Sequence, residues 1–248
     1  MTKRIALVTG GTGGIGTSIC VELATSGFTV VANYFPAEKE QAEAWLAEQK
    51  TDSLDLHIAP ADVTDYDSCG SMIQQIEADL GPIDTVVNCA GITRDKTLKR
   101  MTPDQWNAVI NTNLNSAFNV TQQLVNGMLE RGFGRIINIS SVNGQRGQFG
   151  QANYAAAKAG LHGFTMSVAQ ETAAKGITVN TISPGYVETA MTSAMPEEVL
   201  KAIVGAVPVG RMAKPEEIAF AVSWLADERN AYTTGANIPV NGGMFMSA

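Results

Sequence analysis

Apolar residues fall along this chain in two alternating rhythms. Short apolar runs of strand length occupy 4–9, 29–33, 56–59, 85–88, 134–139, 178–183 and 236–240. Between them, apolar positions recur at three- and four-residue spacing over 14–26, 38–49, 66–79, 103–131, 153–175 and 215–226, which predicts helices. Two of these helices carry start signals. Thr102-Pro103 sets a capping hydroxyl before a proline at the first helical position, and Lys214-Pro215-Glu216-Glu217 places proline and two carboxylates in a first turn, where they suit the helix dipole. Strand–helix alternation implies parallel strands joined by crossover helices, hence an α/β doubly wound parallel sheet with helices on both faces, formed by 1–248 as a single domain. In such sheets ligands bind at the carboxyl ends of the strands, so the residues that follow each strand are the ones to read for chemistry.

Composition narrows the partners. Hydrophobic residues make up 45% of the 248 and charged residues 17%, enough for a filled core and too apolar for disorder. A net charge of −7 argues against nucleic acid held through its phosphates, so an anionic cofactor needs a local binding device. Cys20, Cys69 and Cys89 are scattered without metal-ligand spacing; they read as reduced thiols of a cytoplasmic chain, with no resident metal expected. The opening MTKRIALVTGG has an apolar run too short for a secretion signal, and no run of apolar residues is long enough to predict a membrane span.

The local device follows the first strand: Thr9-Gly10-Gly11-Thr12-Gly13-Gly14-Ile15-Gly16, then a helix. Gly10 suits a tight turn, Gly14 lets backbone approach a pyrophosphate, and Gly16 lets helix and strand pack closely. The amides around Thr12, Gly13, Gly14 and Ile15 would then face the phosphates with the positive end of the helix dipole behind them. No Gly-Lys-Ser/Thr follows, which excludes a Walker loop. An acid at the end of the second strand would accept both ribose hydroxyls and repel a 2′-phosphate; Asn33 stands there instead, which favours NADP(H) over NAD(H). Lys39 is either a partner for that phosphate or a solvated lysine at a helix start. Asp62-Val63, after the third strand, reads on its own as a helix cap for the stretch starting near Thr64. Asn88-Cys89-Ala90-Gly91, after the fourth, is a small-residue bend across which a dinucleotide can lie.

The strongest chemical signal is Ser141, Tyr154 and Lys158. Ser141 ends the fifth strand run, and Tyr154 and Lys158 lie four apart on one helix face with three alanines between. Reducing a ketone needs a hydride on carbon and a proton on oxygen. A tyrosine holds its proton up to a pKa of about 10, and a nearby ammonium is expected to lower that value. The serine hydroxyl would polarise the carbonyl, and Lys158 can also bond the nicotinamide ribose. Asn113, inside the long helical stretch, is an amide able to disturb the helix ladder.

This order of Thr-Gly-x-x-x-Gly-x-Gly, then Ser, then Tyr-x-x-x-Lys resembles the short-chain dehydrogenase/reductase family over essentially the whole chain, which implies a Rossmann-like fold and a nicotinamide cofactor. The resemblance implies that Asp62-Val63 lies beside the adenine and that Asn113 connects Lys158 through water to solvent. It further implies that Pro184, Gly185, Val187 and Thr189 meet the nicotinamide carboxamide. Cys89 departs from the family's Asn-Asn-Ala-Gly, and Pro239 from its smoother last strand. Within the family the chain is most similar to 3-oxoacyl-thioester reductases that take an acyl-CoA; acyl-carrier-protein thioesters are the runner-up. Gln148, Phe149 and Gln151 lie between the serine and the tyrosine and are expected at the substrate mouth, with Asp95, Gly185 and Tyr186 closing it and 191–207 forming a lid. Arg146, Arg211 and Lys214 would supply a basic rim for either thioester carrier. Members of the family usually assemble as homotetramers, here through 103–131 and 160–168.

Overall fold

The computed structural model describes residues 4–49, 54–189, 192 and 197–246. Seven strands form one parallel sheet in the order β3-β2-β1-β4-β5-β6-β7. They are β1 (Ile5–Val8), β2 (Thr29–Tyr34), β3 (Leu56–Pro60), β4 (Ile83–Asn88), β5 (Gly134–Ile139), β6 (Ile177–Pro184) and β7 (Asn237–Val240). The helices are α1 (Gly14–Thr25), α2 (Lys39–Gln49), α3 (Tyr66–Asp79), α4 (Pro103–Ile110), α5 (Ser116–Arg131), α6 (Val142–Arg146), α7 (Ala152–Thr172), α8 (Glu197–Gly205) and α9 (Pro215–Ala226). Strand order reverses between β1 and β4, so the crevice at their carboxyl ends is the switch point of the sheet.

The period-two pattern of β1 shows how both faces are covered. Ala6 and Val8 join Ile19 and Leu23 of α1 and Val222 and Leu225 of α9 in one apolar cluster. Ile5 and Leu7 join Ile73 of α3 and Val120 and Leu124 of α5 in the other. A buried polar chain crosses the sheet within this apolar setting. Asn88 Nδ2 donates to Asn138 Oδ1 (2.8 Å), Asn138 Nδ2 donates to Thr165 Oγ1 (2.8 Å), and the Thr165 and Thr181 hydroxyls share a bond of 2.7 Å. Unpaired polar groups here would be costly, so the chain fixes the relative register of β4, β5, β6 and α7.

Three features differ from the expectation. The stretch 103–131 is helical throughout, but a π-helical turn, Asn111–Asn115, separates α4 from α5. The segment after Ser141 is not all loop: Ser141 accepts from the Asn143 N–H (3.1 Å) and so caps the five-residue α6, too short to show a helical period. Of the expected lid over 191–207, Glu197–Gly205 is helical, Thr192 bonds back to Val187 and Thr189, and 191 and 193–196 lie outside the described residues. Pro239 sits on the edge strand β7, where ladder bonds are needed on one side only. Among the described residues no helix is long and apolar enough to cross a membrane, and no cluster of His, Cys, Asp and Glu has the makings of a metal site.

Candidate active site

The glycine turn is built by close approach. Gly10 adopts φ +61°, and a Cβ on Gly16 would lie 2.2 Å from the Gly10 carbonyl oxygen, so that position admits glycine alone. Gly13 caps α1 with no side-chain bond, leaving the first-turn amides without a side-chain acceptor. A Cβ on Gly14 would come 3.0 Å from Thr189 Cγ2, so the turn faces the segment after β6 that was expected to share the cofactor. Thr9, which heads the glycine motif but has no role assigned by it, is buried; its hydroxyl accepts from the N–H of Cys89 (3.0 Å) and of Ala90 (3.1 Å) and staples β1 to β4 at the switch point. Its one sequence signal is a hydroxyl residue directly before the glycines. An uncapped helix start behind glycines that leave no room for side chains fits a dinucleotide pyrophosphate.

The neighbouring candidates are placed less simply. Asn33 is 2% exposed and spends its carboxamide on main chain: Nδ2 donates to the carbonyls of Tyr34, Ala59 and Ala61, and Oδ1 accepts from Gly10 N–H. It braces the turn from below instead of offering a free group to a ribose. Lys39 opens α2 in solvent, 3.7 Å from Glu43. Asp62 Oδ1 accepts from both the N–H (2.9 Å) and the hydroxyl (2.7 Å) of Thr64, while Asp65 caps α3. Val63 is buried and its carbonyl accepts from Asn119. Cys89 packs its thiol against the apolar cluster below the turn; burial pushes that thiol up to about 11, with the Lys158 charge opposing.

Ser141, Tyr154 and Lys158 come together at the ends of β5 and α7. The Ser141 hydroxyl stands beside the Tyr154 phenol and acts to lower its pKa. Lys158 is 4% exposed, donates to the Ile139 carbonyl (2.7 Å), and lies 5.7 Å from the centre of the Tyr154 ring. Burial brings its pKa down to about 8. The expectation that the ammonium depresses Tyr154 is not met in this arrangement. Burial raises the phenol above its ordinary value, the Ser141 hydroxyl opposes the rise, and the Asp95 carboxylate adds to it. A phenol so placed keeps its proton at neutral pH, the state required to protonate a ketone oxygen. Asn113 uses both ends of its amide on the main chain of one residue: Oδ1 accepts from Ile92 N–H (2.8 Å) and Nδ2 donates to Ile92 O (2.9 Å). A Cβ on Gly91 would lie 3.5 Å from both Asn113 Oδ1 and Lys158 Nζ, so these groups meet at the bend after β4.

The substrate candidates split into two groups. Asp95 and Gln151 are bonded to each other, Gln151 Nε2 donating to Asp95 Oδ2 (2.7 Å), and Gln151 Oε1 accepts from Asn143 Nδ2 (2.9 Å). Phe149 is 88% exposed and Gln148 is exposed beside it, on a loop between Gly147 and Gly150. Gly185 and Tyr186 border a cavity of about 480 Å³ that Val207, Val209, Phe245 and Met246 also line. Asn153 was not singled out, yet it is fully buried. Its Nδ2 donates to the carbonyls of Arg94 (3.2 Å) and Gln105 (3.1 Å), and its Oδ1 accepts from Tyr154 N–H (2.8 Å), so it ties the 92–95 segment to the start of α7.

With this arrangement in place, comparison defines the class. Residues 4–199 match the family model described as short chain dehydrogenase, and the chain belongs to that family, with the nicotinamide cofactor the family implies. It is 63% identical to an acetoacetyl-CoA reductase of Allochromatium vinosum, over 98% of this chain and 99% of that one. It is 52% identical to an acetoacetyl-CoA reductase of Cupriavidus necator, over 99% and 100%. A 3-oxoacyl-[acyl-carrier-protein] reductase of Pseudomonas aeruginosa is 44% identical over 98% of each chain.

Proposed function

We propose that this protein reduces acetoacetyl-CoA to (R)-3-hydroxybutyryl-CoA with NADPH, supplying precursor for polyhydroxybutyrate. The observation that carries the reading is a protonated Tyr154 beside Ser141, with Lys158 one helical turn away and 5.7 Å from its ring centre. Bound NADPH supplies the hydride. Ser141 polarises the 3-oxo group, Tyr154 delivers the proton to its oxygen, and Lys158 holds the nicotinamide ribose. The π turn around Asn113 loosens the ladder where a water could pass protons between Lys158 and solvent. The turn from Gly10 to Gly16 cradles the pyrophosphate. Asp62 and Val63 border the adenine; Asn88, Ala90 and Gly91 lie along the dinucleotide; Pro184, Gly185, Val187 and Thr189 meet the carboxamide. With no acid at the end of β2, a 2′-phosphate is not repelled, and Lys39 is the candidate cation for it.

On the substrate side, Gln148, Phe149 and Tyr186 contact the thioester arm, with Asp95 and Gln151 at the rim. Arg211 of the basic rim is held by both carboxylate oxygens of Glu217 (2.6 and 2.8 Å), and the rim would serve either carrier; the higher identity to the acetoacetyl-CoA reductases than to the carrier-protein reductase is what supports the CoA ester. The chain acts as one domain in the cytoplasm and as a homotetramer. Phe118 on α5 and Met166 on α7, each 51% exposed, offer apolar faces on the helices expected to pair. The test is NADPH and NADH oxidation with acetoacetyl-CoA and, separately, with the acetoacetyl carrier-protein thioester. Fast turnover of the CoA ester with NADPH is expected. Strong preference for the carrier protein would overturn the substrate assignment and leave the Ser141–Tyr154–Lys158 chemistry standing.

A further inference from the structure

We infer that Asn143 is a positioning residue for Ser141, and that Gln151 and Asp95 act on the reaction through it. This rests on the reductase reading above. A continuous path of bonds leads from the rim to the reacting groups. Asp95 Oδ2 accepts from Gln151 Nε2 (2.7 Å), Gln151 Oε1 accepts from Asn143 Nδ2 (2.9 Å), and the Asn143 N–H donates to Ser141 Oγ (3.1 Å), beside the Tyr154 phenol. Each link has a chemical consequence. Because an N–H already points at Ser141 Oγ, the hydroxyl proton is directed away from the helix start and is free to turn toward a substrate carbonyl. The N–H that does this belongs to a residue whose side chain is buried and clamped by Gln151. Both ends of the Gln151 amide are engaged inside the protein, so in this arrangement it has no spare end aimed at a thioester. Asp95 can hold Gln151 as an ionised carboxylate, and an asparagine oxygen would serve the same bond.

The site needs this external brace because α6 has only five residues and is followed by Gly147 at φ +73°. So short a helix cannot hold its own first turn. Packing fixes one side: a Cβ on Gly144 would come 2.8 Å from the Lys158 main-chain carbon, so α6 already touches α7 closely. The Asn143–Gln151–Asp95 path secures the other side, joining α6 to the residue before α7 and to the segment after β4.

The experiment compares Gln151→Ala, Asp95→Ala and Asp95→Asn with wild type by steady-state kinetics on acetoacetyl-CoA and by 13Cζ-tyrosine NMR titration. The Tyr154 line is assigned by its absence in Tyr154→Phe. Gln151→Ala and Asp95→Ala are expected to lower kcat about tenfold or more with KM within twofold, and Asp95→Asn to restore most of the loss. Losing the hold on Ser141 should also move the Tyr154 titration to higher pH, because the Ser141 hydroxyl opposes its rise. A tenfold increase in KM with kcat unchanged, or a Tyr154 titration that stays in place in Gln151→Ala, would overturn the inference. The NMR reading needs no turnover. If wild type fails to reduce the CoA ester, the substrate assignment falls, and the movement of Tyr154 still decides the positioning role.

Discussion

Two buried cations stand at opposite ends of β5, and the contrast between them separates architecture from chemistry. Arg135, at the start of the strand, is 1% exposed and its guanidinium donates to the carbonyls of Gly134, Gly176, Asp227 and Glu228 while lying 4.4 Å from the Phe133 ring centre. Lys158, beside the end of the strand, donates to the Ile139 carbonyl alone among described groups. Both lose proton affinity through burial. Arg135 has its donors consumed by fixed acceptors and serves as a rivet across the chain ends. Lys158 keeps donors in reserve next to a phenol, and its pKa of about 8 leaves it able to change protonation near neutral pH. The number of unspent donors, more than depth of burial, tells the two roles apart.

The largest effect that would sharpen this contrast is at the phenol. Tyr154→Phe is expected to lower kcat by about a thousandfold while dinucleotide binding, followed by NADPH fluorescence, survives. Near-normal turnover in that variant would break the assignment. Lys158→Met should cost about a hundredfold or more in kcat, and Arg135→Met should leave the kcat of the folded fraction within about twofold. Arg135→Met should instead lose roughly 3 kcal/mol in urea unfolding, because buried carbonyls are left without donors.

The pH dependence of stability distinguishes Lys158 further. Below pH 8 both folded and unfolded chains carry the Lys158 proton, and the fold bears the full penalty of burying it. Between about 8 and 10.5 the folded state has shed the proton and the unfolded chain has not, so this group makes stability rise with pH across that window. Lys158→Met should therefore exceed wild type in stability at pH 7, with the gain shrinking as pH rises toward 10.5, as measured by denaturant midpoints at each pH. The smallest expected effect is at the mouth: Phe149→Ala should raise KM for acetoacetyl-CoA by about threefold with kcat unchanged, since the side chain projects into solvent and adds contact area alone.

What could be read in the chain was whatever a local pattern encodes. The seven strand runs and the long helices follow from hydrophobic period. The glycine turn and the Ser141, Tyr154 and Lys158 constellation follow from residue type at fixed spacing. What could not be read was partnership between distant positions. Asn33 stood at the right place for a ribose contact, but nothing in the run 29–33 says that its amide is taken by Ala59 and Ala61 across the sheet. Thr9 and Asn153 look ordinary in sequence because their importance lies in the N–H and carbonyl groups they meet 80 and 59 residues away. The same reason hid the Gln151–Asp95 bond, although both residues were singled out separately. The expected depression of Tyr154 by Lys158 failed on geometry: four residues on one helix face bring two side chains near each other but do not decide that the ammonium turns to Ile139.

The π turn at Asn111–Asn115 carries a consequence for how this chain tolerates change. A π turn accommodates one more residue than an α turn, so the helix here is one residue longer than the same span of regular helix. Removing one residue from 111–115 would let the segment close into unbroken α-helix, keeping α4 and α5 in register but erasing the local widening that presents Asn113. Asn113 would swing away from Ile92, and the bend after β4 would lose the clasp that holds it. Point substitutions at Asn111 or Asn115 leave the count intact. At this place an alignment gap is a heavier lesion than a changed letter, and length itself is the inherited quantity.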